Sequence, residues 1–215
     1  MDALHRWPDV FVIDDASVRL HPSLASVDAC TVALAFIERA ASRYFGTMTY
    51  TVHLNGIVKY RDGAPQLWIA RRSGTKATDP GMLDNVVAGG IGWGMEVLPT
   101  LVKEYWEEAG MRAELAQTAE RGGTFHVLQS LPEGTQAEQI FVFDVVLPED
   151  FTPRNQDGEV GEHRLARIDD VARWIEEGKL TVDVSLATLN CMLRRQWIDE
   201  ASCEGLAALY DAPQV

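Results

Sequence analysis

The feature that most constrains the fold is a glycine-rich loop that runs directly into an acidic, helix-forming stretch. Residues 103–111 read KEYWEEAGM and place Glu104, Glu107 and Glu108 at positions i, i+3 and i+4. Such residues share one face of a helix, where like charges destabilise it by about 0.2–0.5 kcal/mol per pair. A solvated surface is the ordinary explanation of a charge run. The other is a divalent metal, because Mg²⁺ prefers oxygen ligands and its coordination would offset the repulsion.

The pattern around these glutamates predicts a helix from about Leu98 to Gly110. Pro99 is tolerated in a first turn, and Gly110 is typical of a C-terminal cap. Apolar residues recur at helical spacing and should face the core: Leu98, Leu101, Val102, Tyr105 and Ala109. The glutamates fall beside this stripe and should border the core, which favours the metal interpretation.

Strands and helices alternate irregularly in the rest of the chain. After an early short strand in DVFVIDD, the β-rich runs are TYTVHLNGIVKY, QLWIARRS, LDNVVAGG, TFHVLQS and EQIFVFDVVL. Helices are predicted for IDDVARWIEEG, for VSLATLNCMLRRQWI, and for residues from Ser26 to about Tyr44, where Gly46 ends the helix. We therefore predict an α+β fold, an α/β/α sandwich in which a mixed sheet lies between helices.

The chain is long enough for one sizeable core, with 215 residues of which 47% are hydrophobic. β-rich sequence begins at Met48. We therefore divide the chain into an N-terminal extension, residues 1–48, a single domain, residues 49–200, and a C-terminal tail, residues 201–215. No internal repeat or long flexible linker indicates a second domain.

Charge and cysteine content restrict the partners and the compartment. The formal charge is −13 and the pI is near 4.7, so we expect no nucleic-acid partner and no membrane partner. The sequence has no secretion-signal pattern and no apolar run long enough to cross a membrane. Cys30, Cys191 and Cys203 lack metal-ligand spacing and are typical of ordinary thiols in a reducing compartment. Together these features predict a cytoplasmic protein.

The glycine-rich loop does not have the spacing of common nucleotide-binding loops. GxxxxGK[ST] does not occur, and the GxGxxG pattern that starts at Gly90 meets Met95 where its third glycine belongs. A Rossmann-type dinucleotide site is therefore disfavoured. Gly89 and Gly90 remain candidates for substrate binding, since they allow the backbone to approach a phosphate or a metal closely. Trp93 is placed to stack on a heteroaromatic ring, with core packing as the alternative.

A basic cluster precedes the loop in this otherwise acidic chain. Arg71, Arg72 and Lys76 are candidates to hold a diphosphate through charge-assisted hydrogen bonds, and salt bridges at a strand end are the alternative. Because neighbouring residues of a strand face opposite sides of the sheet, only one of the two arginines should reach a substrate.

Read together, the loop and the helix resemble the Nudix hydrolase signature GX5EX7REUXEEXGU, where U is aliphatic. In that alignment Gly89 takes the first glycine, Glu104 the glutamate of the RE pair, and Glu107 and Glu108 the EE pair; Gly110 and Met111 close the motif. The departures are Met95 for the first glutamate, Lys103 for the arginine, and the large Tyr105 at an aliphatic position.

The flanking segments resemble one branch of that family. VHLNGIV, LWIARRS, TKATDPGMLDNVVAGGI, FVFDV and NQDGEV are similar to the Nudix part of thiamine pyrophosphokinase-related proteins, over residues from about 50 to about 165. The branch commonly lacks the early glutamate, so Met95 fits it. The resemblance implies hydrolysis of oxidised thiamine diphosphates to a monophosphate and inorganic phosphate, and a homodimer.

The resemblance also implies a division of roles in the site. Glu104, Glu107 and Glu108 would bind Mg²⁺ or Mn²⁺. The catalytic candidates are Glu107, Glu108, Lys103 and Glu159, with one of the glutamates taking the proton from water; loop solubility is the alternative reading of Glu159. Substrate binding is predicted for Arg71, Arg72, Lys76, Gly89, Gly90 and Trp93.

Two other functions stay open at the level of sequence. One is a Nudix hydrolase of another diphosphate, such as a nucleotide sugar or ADP-ribose. The other is a ligand-binding Nudix domain without turnover, which the departures at Met95 and Lys103 would allow.

Overall fold

The computed structural model describes residues 10–14, 33–61, 63–76 and 78–198, with side chains from residue 36 onward. In chain order the strands are β1 Val10–Asp14, β2 Ala33–Glu38, β3 Met48–Val58, β4 Gln66–Arg72, β5 Leu83–Asn85, β6 Val87–Gly90, β7 Glu120–Leu131, β8 Gly134–Leu147 and β9 Val160–Arg167. The helices are α1 Ser42–Phe45, α2 Val97–Ala109, α3 Ala113–Ala116, α4 Ile168–Glu176 and α5 Val182–Arg194. A 3-10 turn, Arg39–Ala41, links β2 to α1.

Strand β3 is the centre of a mixed sheet. Along one edge it pairs in parallel with β8, which in turn pairs antiparallel with β7. Along the other edge it pairs antiparallel with β6 over residues 51–54 and with β4 over residues 56–58. Beyond that point β4 diverges from β3 and pairs with β5 on one side and β9 on the other. The short strands β5 and β6 therefore fill the gap between β3 and β4 and lead the chain into the glycine-rich loop.

Helices pack on both faces of this sheet. Because side chains alternate along β3, Val52 and Leu54 share one core with Tyr105 of α2. Ile57 belongs to a second core, which includes Met192 of α5 and residues of β4 and α4. This arrangement confirms the predicted α/β/α sandwich. No described helix has the length and apolar character needed to span a membrane.

The acidic helix α2 begins one residue before the predicted start. Gly110 caps it in the left-handed conformation, with φ 63°, and its N–H donates to the carbonyls of Trp106 and Tyr105. Leu101, Tyr105 and Ala109 are buried as predicted, whereas Leu98, in the first turn, is exposed.

The helix predicted between Ser26 and Tyr44 is wrong for the part that the structure describes. Residues 33–38 form β2, which pairs antiparallel with β1, and the α-helical residues there are Ser42–Phe45. Pairing with an upstream strand outweighs a weak local helix preference. Gly46, with φ 62°, ends α1 as predicted. Residues 26–32 lie outside the described part, and the domain boundaries at residues 48 and 200 stay predictions.

A buried hydrogen-bond network joins the sheet to α5. Oδ1 of Asn85 accepts from Nδ1 of His53 at 2.9 Å, and the amide nitrogen of Asn85 donates to Asn55 at 2.9 Å and to Thr188 at 3.0 Å. Asn55 in turn donates to Asp144 at 3.0 Å. Since buried polar groups are costly unless paired, this network fixes how α5 sits on the sheet. It also accounts for His53 as a structural residue, on the face of the sheet opposite α2.

Tyr105 offers a test of this packing. It is 0% exposed, and among the described residues its hydroxyl group has no hydrogen-bond partner. An unpaired buried hydroxyl costs about 1–3 kcal/mol, so Tyr105→Phe should leave the free energy of unfolding unchanged or raise it. Thermal and urea unfolding measure this, with Tyr105→Leu as the cavity-forming control that should lower stability. A loss for Tyr105→Phe similar to that for Tyr105→Leu would contradict the prediction.

Candidate active site

Glu108 is the most buried of the three glutamates on α2, with 3% of its surface exposed. The backbone N–H of Ala88 donates to its Oε2 at 2.8 Å, and Nζ of Lys76 lies 3.5 Å from its Oε1. Burial raises the pKa of Glu108 from its ordinary value of 4.5 to about 8, with Lys76 opposing the rise and Asp84 adding to it. Near neutral pH this carboxyl group therefore holds a proton most of the time, and a cation bound beside it would displace that proton.

Lys103 offsets the repulsion between the other two glutamates. Its Nζ donates to Oε1 of Glu104 at 3.0 Å and to Oε2 of Glu107 at 2.7 Å. Glu104 also lies against Gly89, where a Cβ atom would be 2.3 Å from both Cγ and Cδ of the glutamate. Burial raises the pKa of Glu104, although Lys103 opposes this. The absence of a side chain at Gly89 is what allows β6 to approach the carboxylate so closely.

The basic cluster is divided between the two faces of the sheet. Arg72 donates to Asp84 at 2.7 Å and to the carbonyl of Thr78, and with Lys76 it lines a small cleft that also contains Glu108. Arg71 instead faces the side of α4, where it is half-exposed and lies 3.6 Å from Glu162. Of the two arginines, the structure brings only Arg72 to the carboxylates.

The loop after β8 carries Glu159 to the same cleft. The N–H groups of Arg154 and Gln156 donate to the carbonyls of Ala109 and Glu107, which ties this loop to the last turn of α2. Oε2 of Glu159 forms an ion pair with Nζ of Lys76 at 2.7 Å. Burial raises the pKa of Glu159, but hydrogen bonding and charge from Lys76 outweigh burial and lower it overall.

Gly90 and Trp93 lie on the glycine-rich loop and contact the chain that precedes α1. The space beside Gly90 is filled by the guanidinium group of Arg39. The ring of Trp93, which is 43% exposed, packs edge to face against Phe36.

Comparison with known proteins identifies the family of this arrangement. A family model described as NUDIX domain matches residues 54–183, well over half of the chain. The chain belongs to the Nudix family. Two relatives from Arabidopsis thaliana support this: Nudix hydrolase 20, chloroplastic, is 41% identical over 175 residues, and Nudix hydrolase 24, chloroplastic, is 38% identical over 191 residues. The matches cover 81% and 89% of this chain.

A solved structure shows the same fold at low sequence identity. The crystal structure of DR0079 from Deinococcus radiodurans superposes with a TM-score of 0.56 and 20% identity, over 78% of this chain and 94% of that one. These findings confirm the Nudix hydrolase family predicted from the residues of α2. The predicted branch of that family stays a prediction.

The plant relatives overturn the predicted localisation. Both are chloroplastic proteins, so the prediction of a cytoplasmic protein is wrong. Composition and the absence of a signal pattern do not distinguish a cytoplasmic protein from one of an organelle. The chain spans about half the length of each relative, 46% and 52%.

Nudix hydrolases generally use a divalent metal such as Mg²⁺, and the donor set of this Nudix domain fits one. Glu104, Glu107 and Glu108 supply the hard oxygen atoms that Mg²⁺ prefers, and Lys103 and Lys76 already place positive charge against them. Within the described residues, no three acidic, histidine or cysteine side chains are close enough to form a ready ligand cluster. Instead, Nζ of Lys103 pairs with both Glu104 and Glu107.

Sequence reasoning missed two parts of this Nudix site. Asp84 pairs with Arg72 and contributes to the raised pKa of Glu108; an acid inside the apolar run LDNVV was the available signal. Arg39 belongs to a stretch that we predicted to be helical, and nothing in its local pattern indicates contact with Gly90.

Proposed function

We propose that this Nudix domain hydrolyses a small organic diphosphate to a monophosphate and inorganic phosphate, with Mg²⁺ or Mn²⁺ held by Glu104, Glu107 and Glu108. The observation that most supports this is the burial of Glu108 and its raised pKa. Glu108 is a buried carboxyl group, aligned by the N–H of Ala88, whose pKa is raised by burial although Lys76 opposes the rise. A bound divalent cation would add positive charge beside it.

The bound metal ion and Glu159 would together activate the attacking water. The metal ion, when bound, would neutralise phosphate oxygens and lower the pKa of a coordinated water. Glu159 is our candidate proton acceptor, because it lines the cleft that contains Glu108 and is held there by Lys76. In the proposed step, the oxygen of water bonds to one phosphorus and the bridging P–O bond breaks. The proton of the water passes to Glu159, and the other phosphate leaves as an anion with the bridging oxygen.

Lys76 and Arg72 are our candidates for holding the phosphates. Lys76 is paired with Glu108 and Glu159 in the present structure. Once a cation neutralises Glu108, the ammonium group of Lys76 can turn to a phosphate oxygen, as can Lys103 when it leaves Glu104. Arg72 stays fixed by Asp84 and directs its remaining positive charge at the cleft. Arg71 has no part in this proposal because it lies on the other face of the sheet.

Oxidised thiamine diphosphate is the first substrate that we propose. The support is the resemblance of the flanking segments to the thiamine pyrophosphokinase-related branch, together with the partly exposed ring of Trp93 on the glycine-rich loop. ADP-ribose, nucleotide sugars and nucleoside diphosphates are the alternatives. A homodimer stays a prediction.

Product analysis across a substrate panel tests this proposal. Phosphate release would be measured with and without Mg²⁺ on oxidised thiamine diphosphates, intact thiamine diphosphate, ADP-ribose and nucleoside diphosphates. Preference for the oxidised thiamines supports the full proposal, and preference for another diphosphate replaces the substrate while keeping the reaction. Calorimetric binding of the same compounds without turnover under any divalent ion would favour the ligand-binding alternative and contradict the proposed hydrolysis.

The raised pKa of Glu108 predicts that metal binding depends on pH. Because the folded protein keeps Glu108 protonated below about pH 8, binding must release this proton. The apparent affinity for Mg²⁺ should therefore fall by up to about tenfold per pH unit as the pH decreases from 8 to 6. Titration calorimetry in two buffers of different ionisation enthalpy counts the released protons. Proton release and pH dependence that are the same in Glu108→Gln as in the wild type would exclude Glu108 as their source.

A further inference from the structure

Residues 36–39 lie against the glycine-rich loop at two points. The ring of Phe36 meets the ring of Trp93 edge to face, with centroids 5.3 Å apart. Three residues later, the guanidinium group of Arg39 occupies the space beside Gly90, where a Cβ atom would be 1.7 Å from Nη1 and 2.9 Å from Cζ. Phe36 and Arg39 are three residues apart, and so are their neighbours Trp93 and Gly90, but in the reverse order. Residues 36–39 therefore run antiparallel to the glycine-rich loop.

The charge of Arg39 reaches the carboxylate site. Burial raises the pKa of Glu159, and Lys76 reverses this; Arg39 is the next contributor to the lowered value, followed by Arg72. Glu159 is itself bonded to Lys76, which also contacts Glu108. Arg39 therefore acts on the same cluster, from the side of the glycine-rich loop.

Arg39 adds a guanidinium group to the cations around the carboxylates, which are Lys76, Lys103 and Arg72. Arg39 lies on Gly90, where the backbone has no side chain to keep a phosphate away. A guanidinium group can bind phosphate through two parallel N–H···O bonds, which an ammonium group cannot do.

We propose that Arg39 binds the phosphate groups of the substrate from the N-terminal side, and that Phe36 lines the same wall for a planar aromatic group attached to the diphosphate. This rests on the proposed hydrolase function and narrows its substrate class to diphosphates that carry an aromatic ring. Both residues lie outside the stretch 54–183 that matches the family model. The segment before the Nudix domain thus completes its substrate site.

Steady-state kinetics of Arg39→Gln with the best substrate of the panel tests the role of Arg39. Loss of charged hydrogen bonds to a phosphate should raise KM by about 10- to 100-fold, with kcat changed by less than about threefold. Arg43→Gln is the matched control: this arginine belongs to the same segment but pairs with the distant Glu133 at 3.0 Å, and its loss should leave both constants unchanged.

Gly90→Ala tests the same role without removing the arginine. The backbone of Gly90 does not adopt a positive φ, so alanine is conformationally allowed, but its Cβ atom would displace the guanidinium group. Gly90→Ala should reproduce the KM of Arg39→Gln, and the double variant should be no worse than either single one. Additive losses would show that Gly90 and Arg39 act separately and would overturn the proposal.

The binding of inorganic pyrophosphate keeps this test separate from the test of hydrolysis. Calorimetry with Mg²⁺ present should show weaker binding for Arg39→Gln than for the wild type even if no compound is turned over. Equal binding, or no binding by the wild type, would overturn the role of Arg39. Phe36→Ala should weaken binding of ring-bearing diphosphates and leave pyrophosphate binding unchanged; an unchanged affinity for the ring-bearing compounds would remove Phe36 from the substrate wall.

Discussion

Replacing Glu108 by Gln should abolish most metal-dependent hydrolysis while the protein remains folded. Glutamine keeps the shape of the side chain but cannot give Mg²⁺ a charged oxygen ligand. Loss of an outer-shell partner of a metal typically costs 10- to 100-fold, so loss of a ligand at the buried end of the site should lower kcat/KM by at least about 100-fold. Initial-rate measurements at saturating Mg²⁺ distinguish this from weak metal binding.

The pH dependence of stability shows whether Glu108→Gln remains folded. The pKa of Glu108 is 4.5 when unfolded and about 8 when folded, so the folded wild type binds more protons between these values. Wild-type stability without metal should therefore fall as the pH rises through this range and level off above about pH 8. Glutamine does not titrate, so Glu108→Gln should become progressively more stable than the wild type over that range.

Glu162→Gln is the comparison for activity, because Glu162 is a half-exposed glutamate that faces Arg71 on the other side of the sheet. Its replacement should leave kcat/KM unchanged. Retention of wild-type activity by Glu108→Gln would exclude Glu108 as a metal ligand and would refute the assignment of the site.

Replacing Gly89 by Ala should have the second largest effect. Its Cβ atom would lie 2.3 Å from two carbon atoms of Glu104, a separation that real structures do not contain, so the carboxylate must move. A shift of about 1 Å in catalytic geometry can cost about 100-fold in rate. We therefore expect kcat/KM to fall by about 100-fold and the affinity for Mg²⁺ to fall with it.

Gly161→Ala is the matched control for this substitution. Gly161 lies in β9, and a Cβ atom there would meet its nearest neighbour, the carbonyl of Arg71, at an ordinary 3.7 Å. Its activity should equal that of the wild type. If Gly89→Ala lost activity only because it unfolded, its circular dichroism and unfolding midpoint would change together with the rate, whereas a displaced Glu104 leaves the secondary structure intact.

The acidic helix was predicted well from the sequence because its boundaries and its buried face depend on residues of the helix itself and of its cap. Helical spacing of Leu101, Tyr105 and Ala109 sets the buried face, and Gly110 ends the helix. The positions of Glu104, Glu107 and Glu108 relative to the core follow from the same spacing. Strand alternation likewise predicted that Arg71 and Arg72 would face opposite sides, although not which one would reach the carboxylates.

Contacts between distant segments could not be predicted in the same way. Strand β9 has mostly polar residues, as edge strands do, so its pattern does not distinguish it from a loop. Glu159 is placed by backbone hydrogen bonds from residues 154 and 156 to the end of α2, which leave no periodic signal. The contact of Arg39 with Gly90 joins segments that are distant in the sequence, and β2, which ends just before Arg39, pairs with β1 where we predicted a helix.

The most direct test of the central claim is to count bound Mn²⁺ by electron paramagnetic resonance while phosphate release is followed in the same samples. We predict that hydrolysis rises in step with Mn²⁺ occupancy in the wild type, and that Glu108→Gln loses both at the same metal concentration. Full activity in metal-free wild type, or Mn²⁺ binding that is unaffected by Glu108→Gln, would contradict a catalytic metal on the acidic face of α2.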